Sequence, residues 1–212
     1  MKLAKRHIIL VFALLSLSFS LHAQRLGGGL IIGPTLSTMQ MSAIDTTSFR
    51  FDMCGGVRLA LIPEHSIFGA EIDVIYSRQG MRTPQGIDEN GKKFRYLEKS
   101  NYINVPVLLN VYLRRWNEDD EDESNFVRLR VGPQIGFCLS GNDVVSVKEN
   151  KQTKDYITRW EKGSYNWFDY GITAVVSYWF IEIRYTMGMS NVFKGEGKSI
   201  NHVISITWSD IW

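Results

Sequence analysis

One stretch constrains this chain more than any other: residues 126–141, FVRLRVGPQIGFCLSG. Taken at every second position it separates into two surfaces. Val127, Leu129, Val131, Pro133, Ile135, Phe137 and Leu139 make one face. Arg128, Arg130, Gly132, Gln134, Gly136, Cys138 and Ser140 make the other. Successive strand side chains point to opposite sides, so this is a β-strand with one apolar and one polar face. In a soluble sandwich or a lipocalin-like barrel the aliphatics would fill the core and the arginines would meet water. In a membrane barrel the aliphatics face lipid and the arginines a polar interior.

The same alternation recurs along the chain. Strands are expected over 26–37, 51–62, 67–80, within 96–114, over 126–141, 165–178, from 181 to 189 and over 200–208. Apolar faces such as Phe68, Ala70, Ile72, Val74 and Tyr76 carry no charge. The opposite faces collect Asp52, Arg58, Glu71, Asp73, Arg128, Arg130, Asp169, Glu182 and Arg184, four basic against five acidic residues. Such a balance suits an enclosed interior, where ions must neutralise one another. Tyr76, Tyr102, Tyr112, Trp116, Trp167, Tyr178, Trp179, Trp208 and Trp212 fall near strand ends, as two interfacial aromatic girdles require. The expected fold is therefore all-β, an eight-stranded antiparallel up-and-down transmembrane β-barrel. Residues 39–49, 81–95, 142–164 and 190–199 are expected as long external loops, and 115–125 as an unusually long periplasmic turn. Pro106 inside the fourth strand requires a bulge, an edge-like N–H or a break in the ladder.

The first residues read as an export signal. Lys2, Lys5 and Arg6 precede an uncharged apolar run from Ile8 to Leu21, and Leu21-His22-Ala23 offers small-residue cleavage, leaving 24–212 as the barrel domain. Removing residues 1–23 takes three basic residues from the 24 Lys and Arg, leaving 21 against 22 Asp and Glu, a net charge of −1. A near-neutral export product gives no support for nucleic-acid binding. Cys54 and Cys138 fall at inward positions of strands that are not sequence neighbours; a bridge between them stays open, and two free buried thiols are the expectation.

Catalytic signals are sparse, and the expectation is that the protein is not an enzyme and needs no cofactor or metal. His65 falls in a turn. His202 lies near Ser199 and Ser205, but Ser205 points to the opposite face and no acidic orienter is evident. The acidic run from Glu118 to Glu123 lacks the glycine and spacing of a calcium loop. Eight strands leave room for side chains and little else, so the inward charges are expected to fill the barrel. The expected role is structural or one of surface interaction, with a narrow pore for small solutes or a secreted lipocalin-like ligand-binding barrel as the alternatives.

NYINVPVLLNVYL at 101–113, VGPQIGFCLSG at 131–141 and FDYGITAVVSYWFIEIRYTMGMSNVF at 168–193 resemble the PorT-like or porin-family outer-membrane β-barrel proteins of Bacteroidetes-type bacteria. The resemblance implies an outer-membrane location and contact with outer-membrane lipids. It implies assembly by the barrel-assembly machinery, which would read Ile204, Ile206, Trp208 and Trp212 as a terminal strand signal; Asp210 departs from that alternation. No catalytic residues are carried by the family pattern, and an extracellular or envelope protein partner stays unnamed.

Overall fold

The computed structural model describes residues 24–42, 47–63, 67–87, 91–113, 127–149, 152–161, 163–195 and 197–211. The expected signal segment, His65, the acidic run, Trp116 and Trp212 lie outside them. Ten strands are present among the described residues: β1 (Gln24–Met41), β2 (Arg50–Pro63), β3 (Phe68–Gln79), β4 (Gly86–Ile87), β5 (Lys93–Leu113), β6 (Val127–Glu149), β7 (Gln152–Arg159), β8 (Phe168–Tyr178), β9 (Ile181–Gly188) and β10 (Ser199–Ile211). Eight of them form a ring, β1-β2-β3-β5-β6-β8-β9-β10, with every neighbour antiparallel. Closure comes from β1 against β10, with Gly29 opposite Ile211 and Met41 opposite Ser199. No edge is left in the ring, which is how a sheet satisfies its backbone where water is absent.

The outward face is the apolar one. Leu30, Val57, Leu59, Val74, Val107, Leu109, Val131, Ile172, Val176, Ile183 and Ile206 are all exposed. Inside sit Arg58, Glu71, Asp73, Asn110, Arg130, Thr173 and Glu182, each at most 3% exposed. This is the polarity of a barrel in hydrocarbon, opposite to that of a soluble ligand-binding barrel. Aromatics mark both borders. Phe137 stacks on Trp167 with ring centroids 6.0 Å apart, level with Tyr76, at one end; Tyr178, Trp179 and Trp208 are exposed at the other. Tyr102 and Tyr112 do not join these girdles. Tyr102 is 1% exposed and pairs across from Cys138, and Tyr112 sits opposite Arg128, so both project inward. Their parity against the outward Ile103 and Val111 dictates this.

Tight curvature is achieved with Gly-Pro pairs. At Gly132 an added Cβ would lie 2.0 Å from the Val107 carbonyl oxygen, and at Gly33 2.1 Å from that of Ile206. Gly132-Pro133 faces Val107-Leu108, next to Pro106, where the β5–β6 ladder lapses between the Pro106↔Gln134 and Leu109↔Val131 pairs. Proline removes a donor and glycine lets two backbones approach, so the break and the bend coincide. Gly132→Val is expected to prevent barrel closure, read as loss of the fast-migrating unboiled species on SDS gels.

Beyond the girdle the sheet continues. Residues 142–164, expected as a charged loop, instead extend β6 to Glu149 and return as β7, with Val144 opposite Ile157 and Val145 opposite Tyr156. The β-branched residues of this segment satisfy strand formation even though its charges mask any apolar period. Likewise β5 begins at Lys93, inside the expected loop 81–95, and β4 pairs with it. The outcome is a four-stranded sheet, β4-β5-β6-β7, rising from the long-connection end of the ring. A register shift between Asn101 and Tyr102, where Leu139 is the extra residue on β6, marks where barrel passes into projecting sheet.

Candidate functional site

The interior is built in three levels. In the half nearer the short turns, alternate residues of β2, β3, β6 and β9 converge on one network. Arg58 uses its whole guanidinium fork. Nε donates to Asp73 Oδ1 at 2.8 Å and Nη2 to Asp73 Oδ2 at 3.1 Å. Nη1 donates to Glu182 Oε1 at 2.6 Å and to Ser209 Oγ at 2.7 Å, and Nη2 to Glu182 Oε2 at 3.0 Å. Arg130 Nη1 donates to Glu71 Oε1 at 2.7 Å, and its Nη2 lies 2.7 Å from Glu182 Oε1, off the line a hydrogen bond needs. Arg184 Nη2 donates to Asp73 Oδ2 at 2.6 Å. Asn110 donates to Glu71 Oε2 at 3.3 Å. Three guanidiniums and three carboxylates therefore cancel, the condition under which charges can stay ionised out of water.

The remaining inward charges lie apart from this cluster. Asp52 pairs with Arg50 at the long-connection end. Asp169 accepts from Ser190 Oγ. Arg128 donates to the Trp179 carbonyl at 3.4 Å, at the short-turn mouth. Above the network a neutral level follows, in which Gln134, Asn104, Ser77, Thr173 and Thr186 exchange hydrogen bonds. The cavity left there, bounded by Cys54, Gln134 and Arg184 among others, has a volume of about 20 Å³. That is room for about one water molecule. Cys54 and Cys138 are buried, unbridged thiols.

The third level closes the other mouth. Met39, Met81 and Val192 form an apolar cap, with Met41, Tyr96, Trp160 and Phe193 packed around it. Trp160 is fixed by Nε1 donating to Asp143 Oδ1 at 3.0 Å and by its ring against Phe193 at 4.8 Å. Glu98 is fully buried here, and neither carboxylate oxygen has a hydrogen-bond partner among the described residues. Lys99 and Asn101 are the outward-facing residues between it and Ile103, so it lies beyond the lipid-facing run that starts at Ile103. Burial, with help from the nearby Asp143 charge, pushes its pKa up to about 8 against the pull of Arg50. Sequence reasoning missed Glu98, Asp143 and Arg50; extending the inward parity Asn104, Tyr102, Ser100 by one more step would have found Glu98.

Other sequence candidates stand separately. His202 Nδ1 is 2.9 Å from Tyr185 Oη on the outer surface, while Ser205 and Ser199 are buried. Ile204, Ile206 and Trp208 lie on β10, with Trp208 opposite Ile181 and Ile32. Among the described residues no group of three or more His, Cys, Asp or Glu is arranged to hold a metal ion.

Residues 20–194 match the family model of the outer membrane protein β-barrel domain. The chain belongs to that family. It is a bacterial outer-membrane protein; barrels of this kind keep their short turns on the periplasmic side and their longer connections outside, the arrangement that puts the projecting sheet on the extracellular side. Among solved structures it is similar to Neisserial surface protein A, at 8% identity, TM-score 0.42, covering 86% of this chain and 95% of that one. It is also similar to Ail, the attachment invasion locus protein of Yersinia pestis, at 8% identity, TM-score 0.37, covering 87% and 98%. No curated protein matches the sequence.

Proposed function

We propose that this outer-membrane barrel is a non-conducting, non-catalytic surface-interaction protein, a PorT-like member of its family, whose working part is the extracellular sheet. The observation that carries this reading is β7. All eight of its residues are exposed, Tyr156 and Ile157 at 59% and 66%, and among the described residues it ends the sheet, with β6 on one side only. Such an edge offers unpaired N–H and C=O groups to an added strand, with alternate side chains for selection. The partner is a protein segment able to extend along β7. Lipids of the outer membrane cover the ring, and no nucleic acid or cofactor enters the reading.

A photo-crosslinking residue at Thr158 on cells carrying the protein should give a discrete adduct that disappears when Ile157→Pro blocks strand addition. Cross-linking that persists undiminished in the Ile157→Pro variant would sink the edge-pairing reading. The filled interior and the cap support the absence of a pore. In planar bilayers the purified barrel should give no stable conductance steps; reproducible ohmic channels would favour the narrow-pore alternative. Export with loss of residues 1–23 belongs to the same reading, and intact-mass measurement of the outer-membrane form should place Gln24 at the amino terminus.

A further inference from the structure

Just outside the lipid-facing band, the outer wall of the projecting sheet is strongly and unevenly basic. Register sets its rows. Arg78 lies opposite Asn101, two residues beyond the girdle position Tyr76. Lys99 lies opposite Asn142, which lies opposite Arg159. Two rows further out, Arg95 lies opposite Ser146 and Ser146 opposite Asp155; beyond them Lys93 lies opposite Lys148. Residues directly opposite share a face, and parity from the outward Ile103 and Tyr76 places all of these on the wall that continues the lipid-facing surface. The six basic side chains are exposed, and Asp155 is the one carboxylate among the described residues of those rows. None of the six is ion-paired with a described carboxylate.

Two features make this more than a solvated surface. Lys93 directly opposite Lys148 is a like-charge cross-strand pair, which is destabilising unless an anion lies between them. The lowest row sits about 7 Å along the strand from the aromatic border, the rise of two residues, and faces sideways over the leaflet rather than up into solvent. Long cationic side chains at that height reach headgroup depth.

We propose that this belt binds the phosphate groups of outer-leaflet glycolipid, whose acyl chains lie on the apolar wall at Tyr76, Ile103 and Phe137. Arg78, Lys99 and Arg159 meet the phosphates first, and Lys93 with Lys148 take up anionic groups of the inner sugars. The inference goes beyond the strand-addition reading and is independent of it, since it rests only on the barrel, its orientation and the wall.

The test is native mass spectrometry of the full mature barrel in neutral detergent, titrated with bisphosphorylated lipid A and, separately, with its dephosphorylated form. Wild-type protein should hold the phosphorylated lipid at least about tenfold more tightly than the dephosphorylated one, each basic residue near an anionic surface being worth several-fold. The Arg78→Gln/Lys99→Gln/Arg159→Gln variant should lose that preference. Lys194→Gln/Lys198→Gln, on the connection after β9, should keep it. Unboiled gel migration identifies folded protein for every variant, and the outward positions leave the interior untouched. Equal binding of both lipids, or an unaltered preference in the triple variant, would overturn the proposal. Displacement of the lipid by dextran sulfate as tightly as by lipid A would also overturn it, assigning the belt to a soluble polyanion instead.

Discussion

Arg58→Ala is expected to destabilise the barrel by roughly 3–5 kcal/mol, the range for breaking a buried ion network from one side. Among the described residues Arg58 is the one group that touches all three carboxylates: two hydrogen bonds to each of Asp73 and Glu182, and Nε 3.4 Å from Glu71. Its removal leaves three carboxylates against Arg130 and Arg184, in a network whose side chains are at most 5% exposed. Arg58→Lys keeps the charge but cannot fork, so it should recover only part of the loss. Arg130→Ala also removes a charge, but fewer aligned bonds, and should cost less. Urea unfolding followed by tryptophan fluorescence, with unboiled gel migration as a second readout, gives the numbers. Arg58→Ala combined with Glu182→Gln should be milder than the sum of the two single changes, because the second change removes the charge that the first strands. A change within about 0.5 kcal/mol for Arg58→Ala would mean that the interior is solvated and the network is a surface-like one.

Legibility of this fold tracks the solvent on each side of the sheet. Where one face meets lipid and the other a polar interior, as in β3 or β8, every second residue is forced to be apolar and the strand is plain in the sequence. Where both faces meet water, as in β7 and the outer ends of β5 and β6, neither face is forced. The period fades and a strand reads as a loop. Tyr102 and Tyr112 illustrate a different failure: proximity to a strand end suggested a girdle, although parity already placed them inward. Inward charges could be recognised singly, but not their partners. Arg58 meets Glu182 across 124 residues, a contact fixed by closure of β1 on β10 and by the strand registers rather than by any local spacing. The basic wall was hidden for the same reason, since Arg78, Lys99 and Arg159 come together only through three registers.

Glu98→Gln is expected to stabilise the protein at neutral and alkaline pH by a few kcal/mol and to flatten its pH dependence. The sign follows from the direction of the shift. Glu98 titrates near its ordinary 4.5 in the unfolded chain and at about 8 in the barrel. The folded state therefore holds the proton more tightly, and stability falls as pH rises from about 4.5 through about 8, at up to about 1.4 kcal/mol per unit while the two states differ. The facing groups relieve this only in part, through the pull of Arg50. Asp143 adds like charge, and Arg50 is already committed to Asp52 and to the Gln79 and Glu98 carbonyls. Tyr96, beside Asp143, is held neutral by burial and by that carboxylate, its pKa raised beyond the working range. Glutamine has the shape of the protonated acid and never ionises, so it keeps the packing under Met39, Met81 and Val192 while abolishing the penalty. Urea midpoints of wild type and Glu98→Gln at pH 5, 7 and 9 should nearly coincide at pH 5 and diverge upward. Parallel curves would instead place Glu98 in contact with water, and the cap above it would then be an open mouth.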